Sequence, residues 1–177
     1  MKTIIIDMDD VLADASARIL EIFNELNGTN VDKSFFDNRN FYEFINSNGH
    51  KPYRPQLFEP GFFRNLTVMP DAQEVVKELS EKHKVYVVSA ATEFPNSLKE
   101  KYDWMAEHFP FISWKNFMLC GDKSIVKGDV MIDDHEKNLK TFDGEALLFD
   151  AMHNKLLTGY HRVYNWQEIH KHLLNLV

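Results

Sequence analysis

Apolar and polar positions in this chain alternate between short β-branched runs and longer stripes of helical period. Lys2-Thr3-Ile4-Ile5-Ile6 is an apolar, β-branched run that predicts a buried parallel strand. Over residues 15–26, apolar side chains recur at Ile19, Leu20, Ile22, Phe23 and Leu26; that spacing is helical, and Asn27-Gly28 supplies a stop. Residues 29–69 break the rhythm, with nine aromatics punctuated by Pro52, Pro55, Pro60 and Gly61. The rhythm resumes at Pro70-Asp71, which opens a helix through Val75, Val76 and Leu79. Further strands are predicted at 84–88, 116–119, 129–132 and 145–149, with a short one near 162–164. An amphipathic helix over 96–108 carries Leu98, Tyr102, Met105 and Phe109 at its edge, and a last helix covers 166–176. Strands alternating with helices predict an α/β fold, a doubly wound parallel sheet with right-handed crossovers. The expected division is an α/β core of residues 1–14 and 70–177, with a small, mostly helical lid of residues 15–69 inserted after the first strand.

Chemistry enters at the predicted strand ends. Asp7, Asp9, Asp10 and Asp14 place four carboxylates within eight residues, directly after the first strand. Carboxylates this close repel one another unless a cation or a shared proton relieves them. A hard, oxygen-liganded cation such as Mg2+ is the natural reliever. Ser89 follows the second strand, Lys123 the third, and Asp133-Asp134 the fourth. The carboxyl ends of parallel strands share one edge of the sheet, so these groups are expected to converge. Two carboxylates one residue apart suit covalent phosphoryl transfer, one attacking phosphorus and the other moving protons. Ser89 can donate to a phosphoryl oxygen, and Lys123 can neutralise transferring charge.

Composition narrows the partners. A chain of 177 residues with 44% hydrophobic and 27% charged positions can bury one full core with room for a small accessory region. The net charge of −7 argues against a broad grip on duplex nucleic acid, although a metal and a lysine can still hold a small anion. Cys120 is the only cysteine, which rules out an intramolecular disulfide and fits a reducing, cytoplasmic compartment. Met1-Lys2 runs straight into the first strand and Asp7 interrupts the apolar stretch, so no signal peptide is expected; no apolar run is long enough to cross a bilayer.

The ordered set of motifs resembles the haloacid dehalogenase-like phosphohydrolases. More narrowly, the segments at 7–14, Glu59-Pro60-Gly61-Phe62-Phe63-Arg64-Asn65-Leu66, Pro70-Asp71-Ala72, Lys99-Glu100-Lys101-Tyr102-Asp103-Trp104 and Lys123 followed by Asp133-Asp134 look like the 5′(3′)-deoxyribonucleotidases. The resemblance implies magnesium-dependent hydrolysis of nucleoside monophosphates, with deoxyribose forms favoured. It implies that Asp7 is the nucleophile and Asp9 the acid/base, and that Ser89 and Lys123 hold phosphate. It further implies that Asp7, the Asp9 carbonyl and an acid at 133/134 hold Mg2+, with Asp133 slightly favoured over Asp134. The chain departs from animal members at Ser89-Ala90-Ala91, where they carry Thr-Ser-Pro, and at Glu93, near which they carry a lysine.

Other residues have plainer expectations. Asp10 and Asp14 suit a helix N-terminus, Cys120 and Trp104 suit the core, and Arg64 suits solvent. Lys127 is the weaker rival of Lys123. The eight histidines look scattered, and His170 and His172 are too close in sequence to share a helix face. Phe62 and Phe63 are candidates either for stacking on a base or for filling the lid. The motifs specify phosphate chemistry rather than base, sugar or oligomeric state. The rival functions are therefore a phosphatase of another small phosphomonoester, such as a sugar phosphate, and a catalytically silent nucleotide-binding module.

Overall fold

The computed structural model describes residues 1–174. Its strands are β1 (Thr3–Ile6), β2 (Lys84–Ala90), β3 (Phe117–Cys120), β4 (Val130–Asp133), β5 (Glu145–Phe149) and β6 (His161–Val163). They pair in parallel in the order β3-β2-β1-β4-β5-β6. The helices are α1 (Ala15–Asn27), α2 (Phe41–Ile45), α3 (Ala72–Lys82), α4 (Pro95–His108), α5 (Glu136–Leu139) and α6 (Trp166–Leu174). The helix expected over 166–176 is thus present from its start, and its last two positions lie outside the described residues.

The strands are apolar on both sides because both faces are covered. Ile4, Ile6, Val85, Val87, Val130, Ile132, Leu147 and Phe149 point into the larger cluster. There they meet Phe23 of α1, Val76 and Leu79 of α3, Trp104 of α4, and Trp166 and Ile169 of α6. The alternate residues Ile5, Val88, Met131 and Leu148 point to the other face, where Leu139 of α5 and the loop residues Phe142 and Leu157 cover them.

Between β1 and α3 the chain forms α1 and then, within the aromatic segment, α2 and two short 3₁₀ turns, Lys33–Phe36 and Arg54–Phe58. Phe36, Phe41, Leu57, Phe62 and Phe63 are buried in the same cluster as the first sheet face. Asp14 caps α1 by accepting from the Ala17 N–H at 3.2 Å, and Gly28 closes the helix at φ +63°.

Two local differences from the sequence expectation matter for the site. β2 continues to Ala90, so Ser89 is the penultimate residue of the strand rather than the first beyond it. On α4 the buried residues are Ser97, Lys101, Trp104 and Met105, whereas Leu98 and Tyr102 face outward. The helix is therefore rotated from the orientation its apolar residues suggest, because Trp104 anchors it by donating Nε1–H to the Leu66 carbonyl at 2.8 Å. Among the described residues, no helix is long and apolar enough to cross a membrane.

Candidate active site

The strand order reverses direction between β1 and β4, and a crevice opens beyond the carboxyl ends of those two strands. Ile6 is in register with Ile132, and the Asp7 N–H donates to the Ile132 carbonyl at 2.9 Å. Asp7 and Asp133 are therefore forced to emerge side by side. Beyond Asp7 the chain coils tightly: the N–H groups of Leu12 and Ala13 both donate to the Met8 carbonyl, at 2.8 and 2.9 Å. Met8 is buried, while Asp7 and Asp9 both reach the cavity. Asp10 adopts φ +57°, a left-handed conformation that Asp tolerates better than most residues. Its carboxylate turns away to accept from the Ser16 N–H at 2.6 Å and from the Ser16 hydroxyl.

Lys123 is the electrostatic centre. It is buried, with Nζ 2.6 Å from Asp7 Oδ1 and 2.7 Å from Asp133 Oδ2. Burial alone would lower the Lys123 pKa, but the charges of Asp7 and Asp133 outweigh it and hold the ammonium above its ordinary range. Conversely, burial pushes Asp7 up, but Lys123 outweighs it and keeps the carboxyl below the usual range. Lys127 is exposed and takes no part.

The adjacent acids at 133 and 134 are differently engaged. Asp133 accepts from Lys123, from the His135 N–H at 2.9 Å and from Asn138 Nδ2 at 2.9 and 3.0 Å, so both of its oxygens are occupied. Asp134 is equally buried, yet its Oδ1 has no hydrogen-bond partner among the described residues. Burial and the charge of Asp7 raise Asp133 to about 6; burial also raises Asp134 to about 6, despite His153 beside it. One ligand oxygen from each of Asp7, Asp133 and Asp134 lies within 4.8 Å of the others. This all-oxygen, carboxylate-rich set fits a hard divalent cation, and the orphaned Asp134 oxygen is the atom that lacks a partner without one.

Sequence reasoning missed two participants. Lys101 is buried on α4, with Nζ 2.5 Å from Asp9 Oδ2 and 2.9 Å from Ser89 Oγ, and 4.8 Å from the Phe63 ring centroid. The other Asp9 oxygen is buried without a hydrogen-bond partner among the described residues. His153, from the 3₁₀ turn Met152–Asn154, lies between two acids: Nε2 is 3.1 Å from Asp134 Oδ2 and Nδ1 is 3.6 Å from Asp10 Oδ2. Burial opposes its protonation, but Asp134, and then Asp10, outweigh burial and raise it to about 9. His135 stacks on His153 at 4.5 Å. These histidines are thus gathered by the fold rather than scattered, and their separation in sequence hides it.

A cavity of about 360 Å³ joins these groups to the aromatic segment. Its walls include Asp7, Asp9, Lys123 and Asp134 on one side and Tyr42, Tyr53, Phe62, Phe63 and Phe94 on the other. Phe62 and Phe63 are both buried, with ring centroids 4.7 Å apart. Glu93 pairs with Arg54 of the aromatic segment at the cavity wall. Arg64, expected in solvent, pairs with Glu107. Cys120 is half-buried, its Sγ 3.7 Å from the Ser89 carbonyl.

The family model described as 5′ nucleotidase, deoxy (pyrimidine), cytosolic type C protein matches residues 1–176. The 5′(3′)-deoxyribonucleotidase of Bacillus subtilis is 42% identical over 173 residues, covering 98% of this chain and 99% of that protein. The 5′(3′)-deoxyribonucleotidase of Bacillus phage SPbeta is also 42% identical, with the same coverage. Among solved structures, a haloacid dehalogenase-like hydrolase from Streptococcus pneumoniae superposes with a TM-score of 0.58 at 13% identity, covering 97% of this chain and 98% of that one. A hydrolase of the same fold from Deinococcus radiodurans, solved with phosphate and sodium, gives a TM-score of 0.59 at 14% identity, covering 98% of this chain and 95% of that one. With matches spanning nearly its whole length, and with a fold shared with haloacid dehalogenase-like hydrolases, the chain belongs to the 5′(3′)-deoxyribonucleotidase family of phosphoric monoester hydrolases.

Proposed function

We propose that the chain hydrolyses nucleoside monophosphates, 5′(3′)-deoxyribonucleotides foremost, through an aspartyl-phosphate on Asp7. The observation that carries this reading is the juxtaposition, in one cavity, of a lysine-paired Asp7, an Asp9 with a free buried oxygen, and an aromatic wall. The Asp7 carboxylate attacks phosphorus in line, and the bond to the sugar oxygen breaks as Asp9 gives that oxygen a proton. Asp9, now ionised, takes a proton from water. The hydroxide attacks phosphorus, the bond to Asp7 breaks, and inorganic phosphate leaves with Asp7 restored. Lys123 and Lys101 sit where charge spreads over the phosphoryl oxygens, and the Ser89 hydroxyl donates to one of them. Lys101 also holds Asp9 in place before substrate arrives.

Asp7, the Asp9 carbonyl and Asp134 would hold Mg2+, with Asp133 retained as the anchor of Lys123. When bound, the ion supplies Lewis-acid neutralisation of phosphoryl charge. Residues 15–69 act as the lid that excludes water and supplies the base contacts of Phe62 or Phe63.

A panel of deoxyribo- and ribonucleoside monophosphates and base-free phosphomonoesters, assayed with Mg2+, tests the reading, with Asp7→Asn as control. Deoxyribonucleotides are expected to give the highest kcat/KM, and Asp7→Asn to lose at least about a thousandfold in turnover. Preference for a sugar phosphate would move the enzyme to the rival phosphatase assignment. Near-normal turnover by Asp7→Asn would remove Asp7 from the mechanism.

A further inference from the structure

The edge of the sheet opposite the cavity carries a second group of side chains with chemistry. Glu145 opens β5, His161 opens β6, and His172 lies on α6. β5 and β6 are in register with Leu147 opposite His161, so Glu145, two residues before Leu147, points to the same face as His161. α6 covers that face, its Trp166, Ile169 and Leu173 sharing the cluster that holds Leu147. One ligand atom from each of Glu145, His161 and His172 lies within 4.8 Å of the other two. His172 Nε2 and Glu145 Oε1 are hydrogen-bonded, and the His161 and His172 rings meet edge-on with centroids 4.7 Å apart. Lys2 takes the other carboxylate oxygen, Oε2, at 3.4 Å. His170, two residues from His172, turns instead to Glu78 at 3.0 Å.

We propose that Glu145, His161 and His172 form a binding site for a zinc-class transition-metal ion, separate from the catalytic cavity, which pins α6 to the starts of β5 and β6. Two imidazoles and one carboxylate are a zinc-type donor set, and half-exposure leaves the fourth position to water. Magnesium and calcium prefer oxygen throughout and are poorly served here. On binding, the His172–Glu145 hydrogen bond gives way: His172 ligates through Nε2 as a neutral imidazole that keeps its one proton on Nδ1, and the freed Nε2 and Oε1 lone pairs turn to the ion. Lys2 stays on Oε2 and orients the carboxylate from outside. Because the three donors come together only in the folded chain, the ion stabilises the native state.

The test uses full-length protein stripped of metal and then saturated with Mg2+. Zn2+ is titrated in by calorimetry, and melting temperatures are recorded with and without it. Asp134, His135 and His153 are a competing cluster beside the cavity, so wild type is compared with His161→Gln and His172→Gln. Wild type is expected to bind one more equivalent of Zn2+ than either variant. It is also expected to gain roughly 5–10 °C in melting temperature at a hundredfold excess over Kd. The variants lose that gain and keep zinc-free phosphatase activity, and Ca2+ produces no gain in wild type. Equal zinc stoichiometry and equal thermal shifts in wild type and His161→Gln would overturn the proposal. If the half-buried His172 proves necessary for folding, the exposed His161 decides alone.

Discussion

Lys101 stands in the buried face of α4 with its ammonium against Asp9, Ser89 and the Phe63 ring. A buried ammonium persists only where partners repay its desolvation, and here the partners are proposed catalytic groups. Lys101→Met keeps much of the stem but leaves Asp9 and Ser89 without their donor. It is expected to lower kcat by about 100-fold or more, as loss of one charge-stabilising donor does elsewhere. Unchanged kcat in steady-state assays would make the lysine a packing residue. Asp133 and Asp134 separate in the same manner. Asp134→Asn is expected to weaken magnesium at least about tenfold, whereas Asp133→Asn releases Lys123 and Asn138 and lowers the melting temperature by several degrees. Equal losses of magnesium affinity, measured by calorimetry, would cancel the distinction. The convergence of Asp7, Asp9, Ser89 and Lys123 was legible in the sequence because each stands at or beside a strand end, and the carboxyl ends of parallel strands share one edge. Lys101 was not, since a lysine in an amphipathic helix reads as solvated. Its signal lay in the company it kept, one turn after Ser97 and one turn before Trp104 and Met105, which is the face the structure buries.

At the level of elements, the segment between α2 and α3 is held by contacts that no local period announces. Glu100 of α4 accepts from the N–H groups of Gly61, Phe63 and Arg64, at 2.6, 3.0 and 3.1 Å. Asn96 donates to the Leu57 and Glu59 carbonyls, both at 3.2 Å. One helix face thus organises the loop that carries Phe62 and Phe63, and this is why a chain read for periodicity shows only an interruption there. The regular elements were legible to within a few residues because burial on both faces imposes unbroken apolar strands. The two rings have different duties. Phe63 lies under Lys101 and against Phe94, at a centroid distance of 5.6 Å, so Phe63→Ala is expected to depress activity on every substrate and lower the melting temperature. Phe62 lacks the contact with Lys101 and lines the same cavity. Phe62→Ala is expected to cost about 1–3 kcal/mol toward nucleotides and little toward a base-free phosphoester. Specificity constants on both substrate types, with melting curves alongside, check the pair; equal losses on both substrates in Phe62→Ala would refute stacking by that ring.

Across the whole molecule, the sheet gathers charge that its packing does not need. The two apolar clusters form the buried core, and the acids beyond β1 and β4 gather at the carboxyl edge of the sheet. Asp7, Asp10, Asp133 and Asp134 are all buried at that edge. Against them stand Lys123 and, between Asp10 and Asp134, His153. Burial raises Asp10 to about 7, and Asp134's charge adds to the rise, as neighbouring buried acids do. A hard divalent cation held by these acids would relieve this crowding, and such an ion would bind the folded chain far better than the unfolded one. The expected consequence is a rise in melting temperature of roughly 5–10 °C at a hundredfold excess of magnesium over its Kd. The same addition is expected to restore activity that chelation removes. Chelated protein is expected to keep its far-ultraviolet circular dichroism, because the core is built without the ion. Three measurements on one sample decide the matter: melting temperature, phosphate release from a deoxynucleoside monophosphate, and circular dichroism, each in excess chelator and then in excess magnesium. Full turnover in chelator would take the metal out of the reaction, whereas collapse of the circular dichroism signal would show that the fold depends on the ion.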